Sequence, residues 1–244
     1  MQKYKTLFLD TETTGREEKD RIFQVAYKLE NRQVSELFKP PLPLSIEAME
    51  ATHYTNEDVK SKEPFKDSKL HRELGELFSD PDLVVVAHNA PFDIAMLGKE
   101  GLRVQKFIDT LKVARALDPE EKLGAYRLQY LRYALNIKVE AQAHDALGDV
   151  LVLEKLFERL FAKVAQETKD AGLAIEKMIK ISKEPLEIKR VNFGKYKGEK
   201  IEDIAKMDRG YLEWLLKEKE KELAAGSNGQ TEDWIFTLKK HLEL

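Results

Sequence analysis

A mixed α/β sheet with helices on both faces is the fold class this 244-residue chain predicts. Three observations carry it. Strand signals with antiparallel spacing come first, and strand and helix signals then alternate. One run, Leu83-Val84-Val85-Val86-Ala87, is apolar throughout, as a strand buried on both faces should be.

The elements follow in order. Residues 6–10 read as a short buried strand that ends in a Thr/Gly turn. Residues 22–29 and 33–38 read as two more strands, joined by the polar turn Glu30-Asn31-Arg32. Pro40, Pro41 and Pro43 stop the third strand. Ser45 is placed as the N-cap of a short helix through Ala51, with Glu47 in its first turn. Residues 67–78 carry Leu70, Leu74, Leu77 and Phe78 at helical spacing. After the central strand, Pro91 suits the first turn of a helix over 92–97. Residues 106–109 make the fifth strand. Helices are predicted over 111–116, 127–135 and, at greater length, 146–166. The charged stretch 167–185 reads as a helical extension that runs into a linker.

Bulk composition narrows the function. Hydrophobic residues are 42% of the chain, enough for a core, and charged residues are 35%. A net charge of -3 excludes a uniformly basic nucleic-acid coat, but not an enzyme that grips a few nucleotides through a local basic rim. The absence of cysteine removes disulfides, zinc–thiolate sites and thiol catalysis. With no apolar signal region and no membrane-length run, the expected location is cytoplasmic, with no membrane partner.

Three segments concentrate chemistry: Phe8-Leu9-Asp10-Thr11-Glu12-Thr13-Thr14-Gly15, His88-Asn89-Ala90-Pro91-Phe92-Asp93 and His144-Asp145-Ala146-Leu147-Gly148-Asp149. Asp10 and Glu12 are two apart on a strand, so both point to one face, about 6.5–7 Å apart along it, and can reach one metal. Thr11 points away. Alone, such a pair is usually a solvated strand edge. The apolar Thr6-Leu7-Phe8-Leu9 before it places it instead at the C-terminal end of a buried strand, where open α/β sheets put their sites. Asp93 alone reads as a carboxylate complementing a helix dipole, and His88 and Asn89 as satisfied loop residues. His144 alone reads as a capping or surface histidine. Five residues on a regular helix rotate about 500°. His144 and Asp149 therefore meet only if His144 precedes the helix. Four hard carboxylates with a titratable base suit Mg²⁺ or Mn²⁺ and phosphodiester hydrolysis.

In this order, Asp10-x-Glu12, Asp93 and His144-x4-Asp149 resemble the three motifs of the DEDDh 3′→5′ exonucleases, the family of ribonuclease T and the DNA polymerase III proofreading subunit. The resemblance covers residues 4–165 or so, and implies a ribonuclease H-like fold with a five-stranded mixed sheet. It implies that Asp10, Glu12, Asp93 and Asp149 hold two divalent ions, Mg²⁺ or Mn²⁺, and that neutral His144 is the general base. The expected substrate is DNA with a free 3′ end, cut to nucleoside 5′-monophosphates in repair or end processing. An RNA-trimming enzyme is the alternative, and a non-catalytic nucleic-acid-binding protein a distant one.

Ala51-Thr52-His53-Tyr54-Thr55 is similar to the family's His-Gly-Ile-Thr segment beside the nucleotide pocket, with Tyr54 in place of a small residue. Thr13, His53, Tyr54, Asn89 and Phe92 are accordingly expected to contact substrate. Phe193-Gly194-Lys195-Tyr196-Lys197-Gly198 resembles a small module that follows some exodeoxyribonuclease X-like domains, and the whole architecture resembles that branch. Lys195, Tyr196 and Lys197 are then candidates for auxiliary contacts with a phosphate and a base. The other reading of this module is a hydrophobic cluster of Phe193, Tyr211 and Trp214 under a solvated basic turn. The expected organisation is an exonuclease domain over 1–167, a helical linker over 168–185 and a small module over 186–244.

Overall fold

The computed structural model describes residues 4–139, 146–224 and 229–244. The chain divides into two units, Met1–Ser182 and Lys183–Leu244.

The first unit is built on a five-stranded sheet. Strand β1 (Lys5–Thr13) pairs antiparallel with β2 (Ile22–Leu29), and β2 with β3 (Arg32–Leu37). Helices α1 (Ile46–Thr52), α2 (Asn56–Val59) and α3 (Lys69–Phe78) lead to β4 (Leu83–Ala87). Then come α4 (Ala90–Lys99), β5 (Phe107–Asp109), α5 (Thr110–Ala116), α6 (Leu128–Ala134), α7 (Ala146–Thr168) and α8 (Ala171–Lys183). β4 runs parallel to both β1 and β5, giving the order β3-β2-β1-β4-β5. The expected mixed sheet is therefore present.

Period-two alternation sorts side chains to the two faces. Phe8, Val84, Val86 and Ile108 pack with Val150, Leu153, Leu156 and Phe157 of α7. The Phe8 and Phe157 rings meet edge-on, 5.4 Å between centroids. Leu7, Leu9, Val25, Tyr27 and Val85 pack on the other face with Leu70 and Leu74 of α3 and Met96 and Leu97 of α4.

Two expectations need correction. The helix predicted over 67–78 is broken at Ser68, whose extended backbone (φ -70°, ψ 158°) ends a 3-10 turn and caps α3; its Oγ accepts from His71 N at 3.0 Å. The helical extension expected over 167–185 is present as α8, but it packs rather than links: it buries Ala174, Ile175 and Met178 in the α7-side core and lies within the first unit, which runs to Ser182. These small and apolar residues sit among lysines and a glutamate that mask their spacing in the sequence.

The second unit contains α9 (Ile201–Met207), α10 (Arg209–Ala224) and α11 (Gly229–Leu242). Its own core gathers Ile188, Val191, Ile201, Leu212, Leu215, Trp234 and Leu238. The bridge Arg190–Lys200 closes a turn in which Gly194 and Gly198 take positive φ (63° and 93°).

Candidate active site

The site begins where two parallel strands stop at different heights. β1 pairs with β4 only from Lys5 to Phe8, yet continues to Thr13. Along this overhang β2 still covers one edge. On the other, α4 takes over from β4. The Thr11 N–H donates to Asp93 Oδ1 at 3.0 Å, and the Thr11 hydroxyl donates to the same oxygen at 2.7 Å. Asp93 thus replaces a strand as hydrogen-bond partner of β1.

Asp10 and Glu12 lie on the face opposite Thr11. Their cross-strand partners are Ala26 and Gln24, whereas Thr11 faces Val25. Ala26 belongs to the α7-side core and Val25 to the α4-side core. Asp149 is in the first turn of α7, the helix that covers the Asp10 and Glu12 face, and it accepts a hydrogen bond from Gln129 Nε2 on α6. The sheet therefore presents two carboxylates on one face with Asp149 above them, and brings Asp93 to the strand from its edge. His144 lies outside the described residues.

Burial shapes the electrostatics. Asp93 is buried, and desolvation raises its pKa to about 7 against the lowering pull of the Thr11 donors; nearby Asp109 adds repulsion. Asp109 is itself raised to about 6 by burial. Its Oδ1 accepts from the backbone N–H groups of Asn89 (2.9 Å) and Leu111 (3.0 Å). This fixes Asn89 in the left-handed region (φ 67°), the turn that starts α4 and aims Asp93. His88 is held by Tyr126 O (2.7 Å) and Thr110 Oγ1 (2.9 Å), and burial depresses its pKa to about 4. It is a neutral tie between the end of β4, α5 and the segment before α6.

The other expected contacts are placed as follows. Thr13 is buried past a β-bulge, and its hydroxyl donates to Gly15 O at 2.6 Å. The turn beyond is closed by Asp20, which takes the Thr14 hydroxyl (2.7 Å) and Glu17 N–H (2.7 Å). A Cβ on Gly15 would come within 2.6 Å of Asp20 Oδ2, so glycine is needed there. Ser45 N–H donates to Thr14 O at 3.0 Å and ties α1 to this turn. His53 caps α1 with φ 61°, and Tyr54 packs edge-on against Phe23 at 6.2 Å. Phe92 is half-buried against the α4-side core.

The donor set is all carboxylate oxygen, the chemistry of a hard divalent cation. Among the described residues no three His, Cys, Asp or Glu side chains stand gathered as an ion would require. Asp93 is engaged by Thr11 and Asp149 by Gln129. The donors nevertheless fit such an ion, because a buried carboxylate held near neutrality is one whose ionisation a cation would favour.

Residues 7–157 match the family model described as Exonuclease. The chain belongs to the DEDDh 3′→5′ exonuclease family. Exodeoxyribonuclease 10 of Escherichia coli (strain K12) is 29% identical over 214 residues, 85% of this chain and 89% of that protein. DNA polymerase III subunit epsilon of Treponema pallidum (strain Nichols) is 30% identical over 175 residues, 65% of this chain and 77% of that protein. A solved structure of Exonuclease X in complex with 5′ overhanging duplex DNA is 26% identical, with a TM-score of 0.57 over 72% of this chain and 99% of that one. Residues 191–220 match the model described as Exodeoxyribonuclease X-like C-terminal. The exonuclease match covers most of β1, all of α4 and the first half of α7, the elements that carry Asp10 and Glu12, Asp93, and Asp149.

Sequence reasoning missed two residues of this exonuclease fold that hold its carboxylates. Thr11 had a signal: it stands between Asp10 and Glu12, and strand alternation turns its hydroxyl to the other face. Gln129 had none, because its role depends on how α6 packs on α7. Among the described residues no helix is long and apolar enough to cross a membrane.

Proposed function

We propose that this exonuclease removes nucleotides from the 3′ end of DNA, releasing nucleoside 5′-monophosphates, with Asp10, Glu12, Asp93 and Asp149 holding two divalent ions of the Mg²⁺ or Mn²⁺ type. The observation that carries the reading is the Thr11–Asp93 pair, which binds the second motif to the strand bearing the first. The choice of DNA rests on the relatives, named an exodeoxyribonuclease and a DNA polymerase subunit, and on the DNA in the solved neighbour.

Asp10 and Glu12 bind from β1, Asp149 from α7 and Asp93 from α4. When bound, the ions lower the pKa of the attacking water and offset the charge on the phosphate and the leaving 3′-oxygen. His144, neutral at working pH, takes the proton from that water. The turn at Thr13, the His53–Tyr54 segment, Asn89 and Phe92 border the path of the terminal nucleotides. Residues 183–244 form an auxiliary module whose basic turn, with Lys195 and Lys197, contacts phosphates of the bound strand. An RNA-trimming activity is the second reading, since recognition of a 2′-hydroxyl depends on pocket shape.

The test uses matched 5′-labelled single-stranded DNA, single-stranded RNA and duplex DNA, each with Mg²⁺ and with EDTA. Mg²⁺-dependent shortening of DNA in preference to RNA supports the proposal. Faster shortening of RNA transfers it to the alternative, and hydrolysis undiminished by EDTA rejects the metal chemistry.

A further inference from the structure

We propose that the exposed indole of Trp214, backed by Tyr211 and Tyr196 and bordered by the basic turn, is a stacking site for single-stranded nucleic acid. This deepens the auxiliary role given above to the second unit and moves its aromatic contact to a different residue.

Tyr196 is the sequence's candidate, but its ring is occupied. Its hydroxyl donates to Asp208 Oδ2 at 2.6 Å, Lys195 Nζ lies 4.6 Å from its centroid, and it meets Tyr211 edge-on at 4.9 Å. Tyr211 in turn lies 5.7 Å from Trp214, tilted by 40°. The three rings form a run that starts in the glycine turn and ends on α10. A Cβ on Gly194 would sit 3.6 Å from the Tyr211 hydroxyl, so the turn lies against the run.

Trp214 is the open end. It is 54% exposed, whereas Trp234 in the same unit is 3% exposed and belongs to the core. Helical side chains lean over the preceding turn. Four residues before Trp214 stands Gly210, which carries no side chain, and the exposed Lys217 follows on the same helix. The exposed ring ends the aromatic run and offers a flat face on which a base can stack.

Charge selects the occupant. Between residues 189 and 200 stand Lys189, Arg190, Lys195, Lys197 and Lys200 against a single acid, Glu199. Asp208 engages Lys195 at 3.2 Å and Glu202 engages Lys200 at 3.3 Å, which leaves the turn net basic. A basic turn beside an open aromatic face suits a polymer that offers phosphates and flat bases together, and such stacking tolerates any base. An apolar peptide would satisfy the indole but not the cations.

The experiment uses the full chain in EDTA, so that binding is read without hydrolysis. A fluorescein-labelled oligothymidylate is titrated and followed by anisotropy at two salt concentrations. An unlabelled one is followed by tryptophan emission. Oligothymidylate should quench the emission of the wild type. Trp214→Ala should weaken binding by roughly 5- to 150-fold with the salt slope kept, because stacking is not ionic. Lys195→Ala/Lys197→Ala should make the salt slope shallower by about one to two. Trp214→Phe retains a ring and should bind between the two, which separates lost stacking from a misfolded module. Unchanged affinity of a folded Trp214→Ala protein, with no quenching in the wild type, would overturn the proposal and leave the face to a protein partner. Hydrolysis by the wild type with Mg²⁺ is read separately, so failure of the nuclease reading is distinguishable from failure of this site.

Discussion

Asp93 and Asp149 both stand in the first turn of a helix, yet they are held in different ways. Asp93 is buried and takes two hydrogen bonds from one strand residue, one of them from the backbone. Asp149 is half-buried and takes its hydrogen bond from the side chain of Gln129 on a neighbouring helix. The sheet dictates the first position. Helix packing dictates the second, with one long side chain as the link. A carboxylate fixed by backbone is preset, while one fixed by a glutamine can shift with a rotamer.

The largest expected effect treats the two alike. Asp149→Ala, like Asp93→Ala, should abolish hydrolysis while the circular dichroism spectrum stays that of a folded protein. Substantial activity in either would remove that residue from the site. Next comes His144→Ala, which should slow turnover by roughly 10²–10⁴-fold, as loss of an acid–base group does, and should erase the rise of activity with pH across the histidine range. An unaltered pH profile would assign the base elsewhere.

The supports should then separate the two regions. Thr11→Val removes one donor to Asp93 and leaves the backbone N–H in place. Gln129→Leu removes the side-chain amide that donates to Asp149. Each should lower Mn²⁺ affinity, measured by calorimetry, within the roughly 10–100-fold range of such outer partners, with Gln129→Leu the greater. The reverse order would mean that the hydroxyl, rather than the strand, sets Asp93.

A smaller effect isolates the burial of Asp93. Its folded pKa, about 7, lies above the unfolded value near 3.9. The folded state therefore holds the proton more tightly, and this residue's contribution to stability falls as pH rises from about 4 to about 7. Asp93→Asn does not titrate. In EDTA it should gain on the wild type across that window, by on the order of 4 kcal/mol at pH 8, and the gain should level off above it. Asp109 repels Asp93, so removing that charge also eases the ionisation of Asp109 and adds to the gain. A constant difference across pH, measured by urea denaturation, would show that Asp93 is not held near neutrality.

The same contrast explains what the sequence made legible. Leu83–Ala87 announced itself because a strand buried on both faces must be apolar, and Asp10, Glu12 and Asp93 could be placed because they follow such strands. Alternation turns Thr11 from the Asp10 and Glu12 face, but what it turns toward depends on β4 ending six residues before α4 brings in its carboxylate, a tertiary fact. The sequence reads α8 as a helix but not as core, because Ala174, Ile175 and Met178 are few and set among charges. It leaves open whether the aromatics of the second unit contact a base or form a cluster, because neighbours in sequence do not reveal which ring the α10 packing leaves in water.

The central claim is that the carboxylates on β1 direct metal-dependent cleavage from a 3′ end. The most direct measurement gives the enzyme, with Mg²⁺, a 5′-labelled linear single strand and a closed circle of the same sequence, beside the Asp10→Ala protein. The linear strand should shorten stepwise from its 3′ end and the circle should persist, while Asp10→Ala leaves both intact. Rapid nicking of the circle, or full activity in Asp10→Ala, would contradict the account.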